Sequence, residues 1–389
     1  MRSPRSLVFG GWMMVGVVAG FSQDVVSKVA KPAPDSGHVK EIRFRDGKPV
    51  LGLSMVSLDH ATVNCAPNGL VYLSSNPNGA SSSSSALLDS QSVYSVSLDG
   101  ETKTLLWKRP PPEFDDVKLL DLFATADKLV SLFAAAKTNS GNRPDTSYFL
   151  SITGQDNDGS KLLSLDVKFR PLKIAMFASG ELLLLGWDRG NEIPVLALLK
   201  DDGSLRRFVD LDNRTAVSGL DPFLGKGMAG RPSGEALQAL ENARFTAFGG
   251  DVILGQEGGT APLHHLDPFG GDSRIPIQYP GGFVLHDVLA SDVPWTVVLR
   301  LEPKGDQREW AKSRDTKGQE LFEFNARYGT LVSTLKFDKP EARDVTCAPG
   351  RNLAAIFRQA VPGQSQQSVG LDGNTPPPAM QWVVTTASH

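Results

Sequence analysis

Eight ionisable residues stand at one recurring level of this chain and are its first candidates for chemistry: His60, Asp121, Lys173, Arg244, His286, Asp287, Arg343 and Asp344. Each lies just before or at the start of an apolar, strand-like run. Such groups, repeated at corresponding points of successive units, converge on a polar or anionic ligand. Carboxylates with histidines are also a metal-ligating set. Opposite charges placed this way equally pair with one another and form a structural network. A histidine beside an acid is the minimum for proton transfer, and His286-Asp287 or His60 with Asp59 supplies the residue types. Adjacent residues of a strand face opposite ways, however, which argues against either pair acting together.

Other chemical signals are absent or weaker. No Gly-rich phosphate loop, zinc-ligand spacing or nucleophile elbow occurs, and no cofactor is predicted. Asp156-Asn157-Asp158-Gly159 has the opening of a calcium loop without the distal glutamate, and reads as a hairpin turn. His264-His265 falls on an outer strand and reads as surface chemistry only. Asn213-Arg214-Thr215 fits a glycosylation acceptor.

The elements that position the eight candidates are hairpins. In L-K-I-A-M-F-A-S-G-E-L-L-L-L-G-W-D (172–188), two β-rich runs flank Ser179-Gly180, and the next two flank Asp202-Gly203. Small residues able to take φ > 0 between such runs signal tight turns. Six inner hairpins align on their turns, at 62–73, 121–132, 174–185, 245–255, 287–299 and 344–357. Five outer hairpins interleave with them, and the turns recur about 40 to 70 residues apart. A four-strand unit repeated in this way predicts an all-β fold, a six-bladed β-propeller of four-stranded antiparallel blades. The sixth unit lacks an outer hairpin after Phe357. The hairpin-like segment 40–53 is free to supply it and close the ring, and the tail 381–386 adds a strand there. Seven blades is the alternative, with segment 40–53 in a degenerate blade of its own.

Composition narrows the partners. The 389 residues carry 40 basic and 43 acidic side chains, a net charge of −3, which argues against a nucleic-acid partner. Arg2 and Arg5 precede the apolar run Leu7 to Phe21, and Gly20 and Ser22 fit a cleavage site after Ser22. The expectation is a signal peptide over 1–22, a flexible leader over 23–39 and a propeller domain over 40–389. The apolar run is too short and too glycine-rich for a membrane span. Export to the periplasm or the extracellular space follows, as a monomer with no membrane span once the signal is removed.

The hairpin pattern resembles the six-bladed propellers of the NHL and TolB type over about residues 40 to 386. That resemblance implies architecture and no catalytic motif. The Trp-Asp dipeptide of the commonest propeller family occurs once, at Trp187-Asp188. Sugar-lactone hydrolases of six-bladed type hold calcium with Glu, Asn and Asp side chains; here the inner strands offer Asn64 and few other neutral amides.

In an up-and-down sheet, long connections after the second and fourth strands emerge on one face. Asn76–Ser92, Arg109–Lys118, Lys137–Ser147, Asp212–Asn242 and Glu302–Gln319 all belong to that face. Within Asp212–Asn242, Ser233 can cap a short helix with Leu237 and Leu240 on its apolar side. Such a face suits recognition of a protein, peptide or glycan. A lyase or hydrolase acting in the channel is the alternative.

Cys65 and Cys347 occupy matching places in the first and sixth units. Equivalent residues of a symmetric ring point the same way round it. A disulfide between them therefore requires a departure from symmetry, and free thiols are the expectation.

Overall fold

The computed structural model describes residues 38–51, 62–74, 93–137, 146–154, 160–209, 240–304, 320–337, 344–345, 353–360 and 380–387, apart from a few single positions. Every named element among them is a strand. Blade one comprises β3 (Thr62–Cys65), β4 (Val71–Ser74), β5 (Val93–Val96) and β6 (Thr102–Leu105). Blade two comprises β7 (Asp116–Ala124), β8 (Lys128–Ala136), β9 (Thr146–Gly154) and β10 (Lys161–Leu165). Blade three comprises β11 (Arg170–Met176), β12 (Leu182–Asp188), β13 (Ile193–Leu199) and β14 (Leu205–Phe208). Blade four comprises β15 (Ala243–Phe248), β16 (Asp251–Gln256), β17 (Leu263–Leu266) and β18 (Asp272–Ile275). Blade five comprises β19 (Phe283–Leu289), β20 (Thr296–Pro303), β21 (Glu320–Asn325) and β22 (Leu331–Phe337), with β1 (His38–Ile42) added outside β22. Blade six comprises β23 (Asp344–Val345), β24 (Ala354–Ala360), β25 (Met380–Thr386) and β2 (Lys48–Pro49).

Blade three shows how the residues make the sheet. The turn at Ser179-Gly180 places Gly180 at φ 105, a conformation that a Cβ disfavours, and the Phe177 N–H donates to Glu181 O at 2.9 Å. Strand β12, L-L-L-L-G-W-D, buries six of its seven residues because blades pack against both of its faces. Strand β14, L-R-R-F, is exposed throughout because it forms the rim. Burial therefore falls from the axis outward.

The core follows the ring. Val130 and Leu132 of blade two share a cluster with Leu183 and Leu198 of blade three and Leu254 of blade four. Ile253 and Leu263 of blade four pack with Leu299 and Phe324 of blade five. Val298 and Leu335 of blade five pack with Leu353 and Ala355 of blade six. Val71 and Leu73 of blade one pack with Ile356 and Val384 of blade six. Blade six thus packs directly on blade one, which settles six blades and removes the seven-blade alternative.

Closure uses both ends of the chain, though not as one hairpin. The segment read as a hairpin over 40–53 is divided between two blades. Strand β1 joins blade five, while β2 pairs with β25 as the rim strand of blade six, Lys48 opposite Val384 and Pro49 opposite Val383. Proline is admissible there because a rim strand needs no donor on its outer side. The tail 381–386 lies within β25 and supplies the missing third strand.

Two expectations change. Cys65 is disulfide-bonded, and no cysteine among the described residues is free. The chain carries one other cysteine, Cys347, which lies outside the described residues. Equivalent positions of a symmetric ring do not face one another, so the bond means that the ring departs from exact symmetry there. His264 is not on the surface: it is fully buried. Its Nδ1 lies 2.9 and 3.0 Å from the two carboxylate oxygens of Asp272. His265 does lie partly exposed, with Nε2 2.8 Å from Asp251 Oδ2. Leu240, in the stretch expected to be helical, is helical and fully buried; Ser233 and Leu237 lie outside the described residues. So do Asp156 to Gly159, between the hydrogen-bonded strands β9 and β10.

An unreduced, denatured sample is expected to titrate no free thiol. Reduction should lower folding stability by about 2–5 kcal/mol in urea melts, since the cross-link constrains a long stretch of unfolded chain. Two reactive thiols without reductant would contradict the bridge.

Candidate functional site

The innermost strands β7, β11, β15 and β19 carry Asp121, Lys173, Arg244 and His286 with Asp287. Three of these strands are interrupted by a β-bulge near the candidate. The register shifts between Leu119 and Asp121 in β7, between Pro171 and Lys173 in β11, and between Leu285 and Asp287 in β19. A bulge adds one unpaired residue, bends the strand and re-aims the side chains that follow. Leu120, Leu172 and His286 are the extra residues.

These side chains join across blades. Asp121 Oδ2 accepts the Ile174 N–H at 2.9 Å, and Lys173 Nζ lies 3.7 Å from Asp121 Oδ1, so blade two is tied to blade three. Arg244 donates from a terminal guanidinium nitrogen to Glu257 Oε2 at 2.6 Å. Glu257 Oε1 and Glu302 Oε2 stand 3.3 and 3.5 Å from His286 Nδ1. Both are ion-pairing distances without well-aligned hydrogen bonds, for Nδ1 is buried and has no hydrogen-bond partner among the described residues.

Glu257 and Glu302 did not stand out in the sequence. Glu302 belongs to the end of β20 and not to the loop Glu302–Gln319, so its carboxylate faces the imidazole. Glu257 follows β16 and is held by the backbone around it. Its N–H donates to Asn242 O at 3.0 Å, the Gly258 N–H to Leu285 O at 2.7 Å, and the Leu285 N–H to Gly259 O at 2.9 Å. The connection after β16 therefore pairs with β19 of the next blade just before its bulge. Gly258 has φ 78, and the Gly258-Gly259 dipeptide is the signal that could have flagged the acid beside it.

Of the other candidates, Asp287 accepts the Val288 N–H at 2.9 Å on Oδ1 and lies opposite Arg300 in the ladder. Asp344 lies on β23. His60 and Arg343 fall outside the described residues, as does Asp59. The structure thus connects Asp121 with Lys173 and connects Arg244 with His286 through Glu257. No group of three or more His, Cys, Asp or Glu side chains among the described residues could hold a metal ion.

The network is half-buried, with side-chain exposures between 17% for Lys173 and 37% for Arg244. Burial pushes the Asp121 carboxyl above the usual range, offset only in part by Lys173, the Ile174 N–H and Arg244. Burial also acts to raise Glu257. There His286, Arg244 and Arg300 outweigh it and hold the carboxyl below the ordinary value. The site thus holds one carboxylate firmly ionised and another that takes up a proton more readily. A charged ligand can exchange for these internal partners, and a histidine between two carboxylates can hold or pass a proton.

Stability should follow these directions. Glu257, with a depressed folded value, contributes stability that is present above its unfolded value and is lost as pH falls through the folded one. Asp121, with a raised folded value, works oppositely; its contribution is present at low pH and is lost as pH rises through that value. Glu257→Gln should cost about 1–3 kcal/mol at neutral pH, with the deficit closing in acid. Asp121→Asn, which keeps an acceptor for the Ile174 N–H, should match or exceed the wild type at neutral pH and lose that advantage in acid. Urea titrations between about pH 3 and 8 read both; identical, pH-independent effects would refute the assignment.

No model of a known protein family matches the chain, and no curated protein matches it. Solved structures do. TolB from Acinetobacter baumannii is similar at 13% identity and a TM-score of 0.41, over 82% of this chain and 63% of that one. A puromycin hydrolase is similar at 13% identity and 0.36, over 82% and 43%. A mutant Trypanosoma rangeli sialidase displaying trans-sialidase activity is similar at 10% identity and 0.38, over 84% and 53%. This chain spans less than two thirds of the length of each.

Proposed function

We propose that the chain is an exported β-propeller that binds a protein, peptide or glycan through the channel mouth and the long-loop face. The observation that carries this reading is the set of ionisable side chains from Asp121 and Lys173 to Arg244, Glu257, His286 and Glu302. It crosses four blades at the ends from which the long connections leave, and mixed charge at a half-buried site suits a ligand with charges of its own. Export is supported by the basic, apolar and small-residue order of residues 1–22 and by the oxidised state of Cys65, since disulfides persist in oxidising compartments. Among the described residues no helix is long and apolar enough to cross a membrane.

A second reading, a lyase or hydrolase working in the channel, draws on one feature: the imidazole of His286 between Glu257 and Glu302. An enzyme of this kind uses the histidine as acid or base and the carboxylates to orient it.

Peptide and glycan arrays probed with the purified chain give the ligand. The double variant Arg244→Ala/His286→Ala should then weaken binding at least about ten-fold. Trp295→Ala, on the tight-turn face, should leave it unchanged. Binding lost with Trp295 and kept in the double variant would move the site to the opposite face. Conversion of the bound compound, abolished by His286→Ala, would establish the enzyme in place of the binder.

A further inference from the structure

Strand β1 is the exception in an antiparallel ring. It runs parallel to β22 along the outer edge of blade five, in register from His38 opposite Ser333 to Ile42 opposite Phe337. Four of its five residues are exposed, and only Ile42 packs against the core. Its side-chain tie is Lys40, whose Nζ donates to Glu323 Oε2 at 2.8 Å.

Glu323 gives that tie its meaning. The residue is 8% exposed, on β21, and its carboxylate also accepts the Ser333 hydroxyl. A buried carboxylate stripped of its cation is strongly disfavoured, so this edge carries a built position for one basic side chain. The chain beyond β1 is fixed independently. Phe44 is buried with its ring 5.2 Å from that of Phe337, and the Arg45 N–H donates to Thr386 O at 3.0 Å. Strand β1 can therefore leave without opening the ring, and its exposure makes local release easy.

We infer that the outer edge of blade five is an acceptor for an extended segment of a partner protein that carries a lysine or arginine opposite Glu323. In the unbound chain β1 fills this edge as an exchangeable plug. Added strands draw affinity from the main-chain ladder and specificity from side-chain positions, and here the specific position is the Glu323 carboxylate. A second copy of the chain is the poorer occupant. Phe44 holds the base of the arm, and five residues at about 3.3 Å each reach only about 17 Å.

The test uses the intact chain and a dye-labelled peptide of residues 36–43, followed by fluorescence anisotropy. Saturable binding is expected, weakened about ten-fold when the peptide's lysine is replaced by alanine. Glu323→Gln should remove that difference. The double variant Glu41→Cys/Lys336→Cys, at opposed exposed positions of β1 and β22, locks the plug when oxidised and should abolish peptide binding. Absence of saturable binding, or binding that survives the lock, overturns the proposal. So does a concentration-dependent dimer that the lock dissolves, which would assign the edge to a second copy.

Discussion

The ring exists because its two ends are joined at one place, and the joint is built from several weak contacts. Strand β2 enters from the N-terminal side and pairs with β25 from the C-terminal side. Beside it, the Ala387 N–H donates to Leu353 O at 2.9 Å, and Phe44 and Ala387 lie in the core shared by blades five and six. An open chain of blades would leave the apolar faces of the first and last in water. Their shared cluster of Val71, Leu73, Ile356 and Val384 shows how much apolar surface closure removes. The oxidised state of Cys65, on the innermost strand of blade one, adds a bond that reduces the freedom of the unfolded chain. A strand as short as β2 suffices here because closure does not rest on any one ladder.

Much of this architecture was legible in sequence because tight turns and alternating burial leave local marks. Gly180 and Gly203 sit at φ 105 and 83 within turns that the flanking β-rich runs had already bracketed. The division of the N-terminal segment between blades five and six was not legible. Nothing in K-E-I-R-F-R-D-G-K-P-V says that its two halves part company; the decision is made by distant partners, Glu323 for Lys40 and Val384 for Lys48. The Cys65 disulfide escaped for a related reason. The expectation of free thiols assumed six equivalent innermost strands, and no local signal in the sequence marks where the ring departs from that equivalence.

The site was half legible for a different physical reason. Strand alternation assigns each side chain a face, and by that rule His286 and Asp287 are separated. A bulge makes His286 the extra residue at this position, and no composition signal marks it. The partners of His286 then come from elsewhere: Glu302 from the neighbouring strand of the same blade, and Glu257 from the preceding blade through the Gly258-Gly259 crossing. The buried pair of His264 and Asp272 shows the converse. Two histidines in a row on an outer strand looked like surface, yet the face of His264 is covered, and an acid at the other arm of the hairpin satisfies its Nδ1.

These observations divide labour around the ring. Blades six and one spend their contacts on closure. Among the described residues, the innermost strands of three of blades two to five are bulged at the level of the ionisable groups. A bulge weakens its ladder, so it survives where neighbouring sheets hold the strand from both sides. The near-continuous burial of β12 shows that blade three is held so. Irregularity and charge in these blades therefore sit over well-packed sheets. There, removing a few ladder hydrogen bonds and half-burying carboxylates, as at Asp121, is offset by the core beneath.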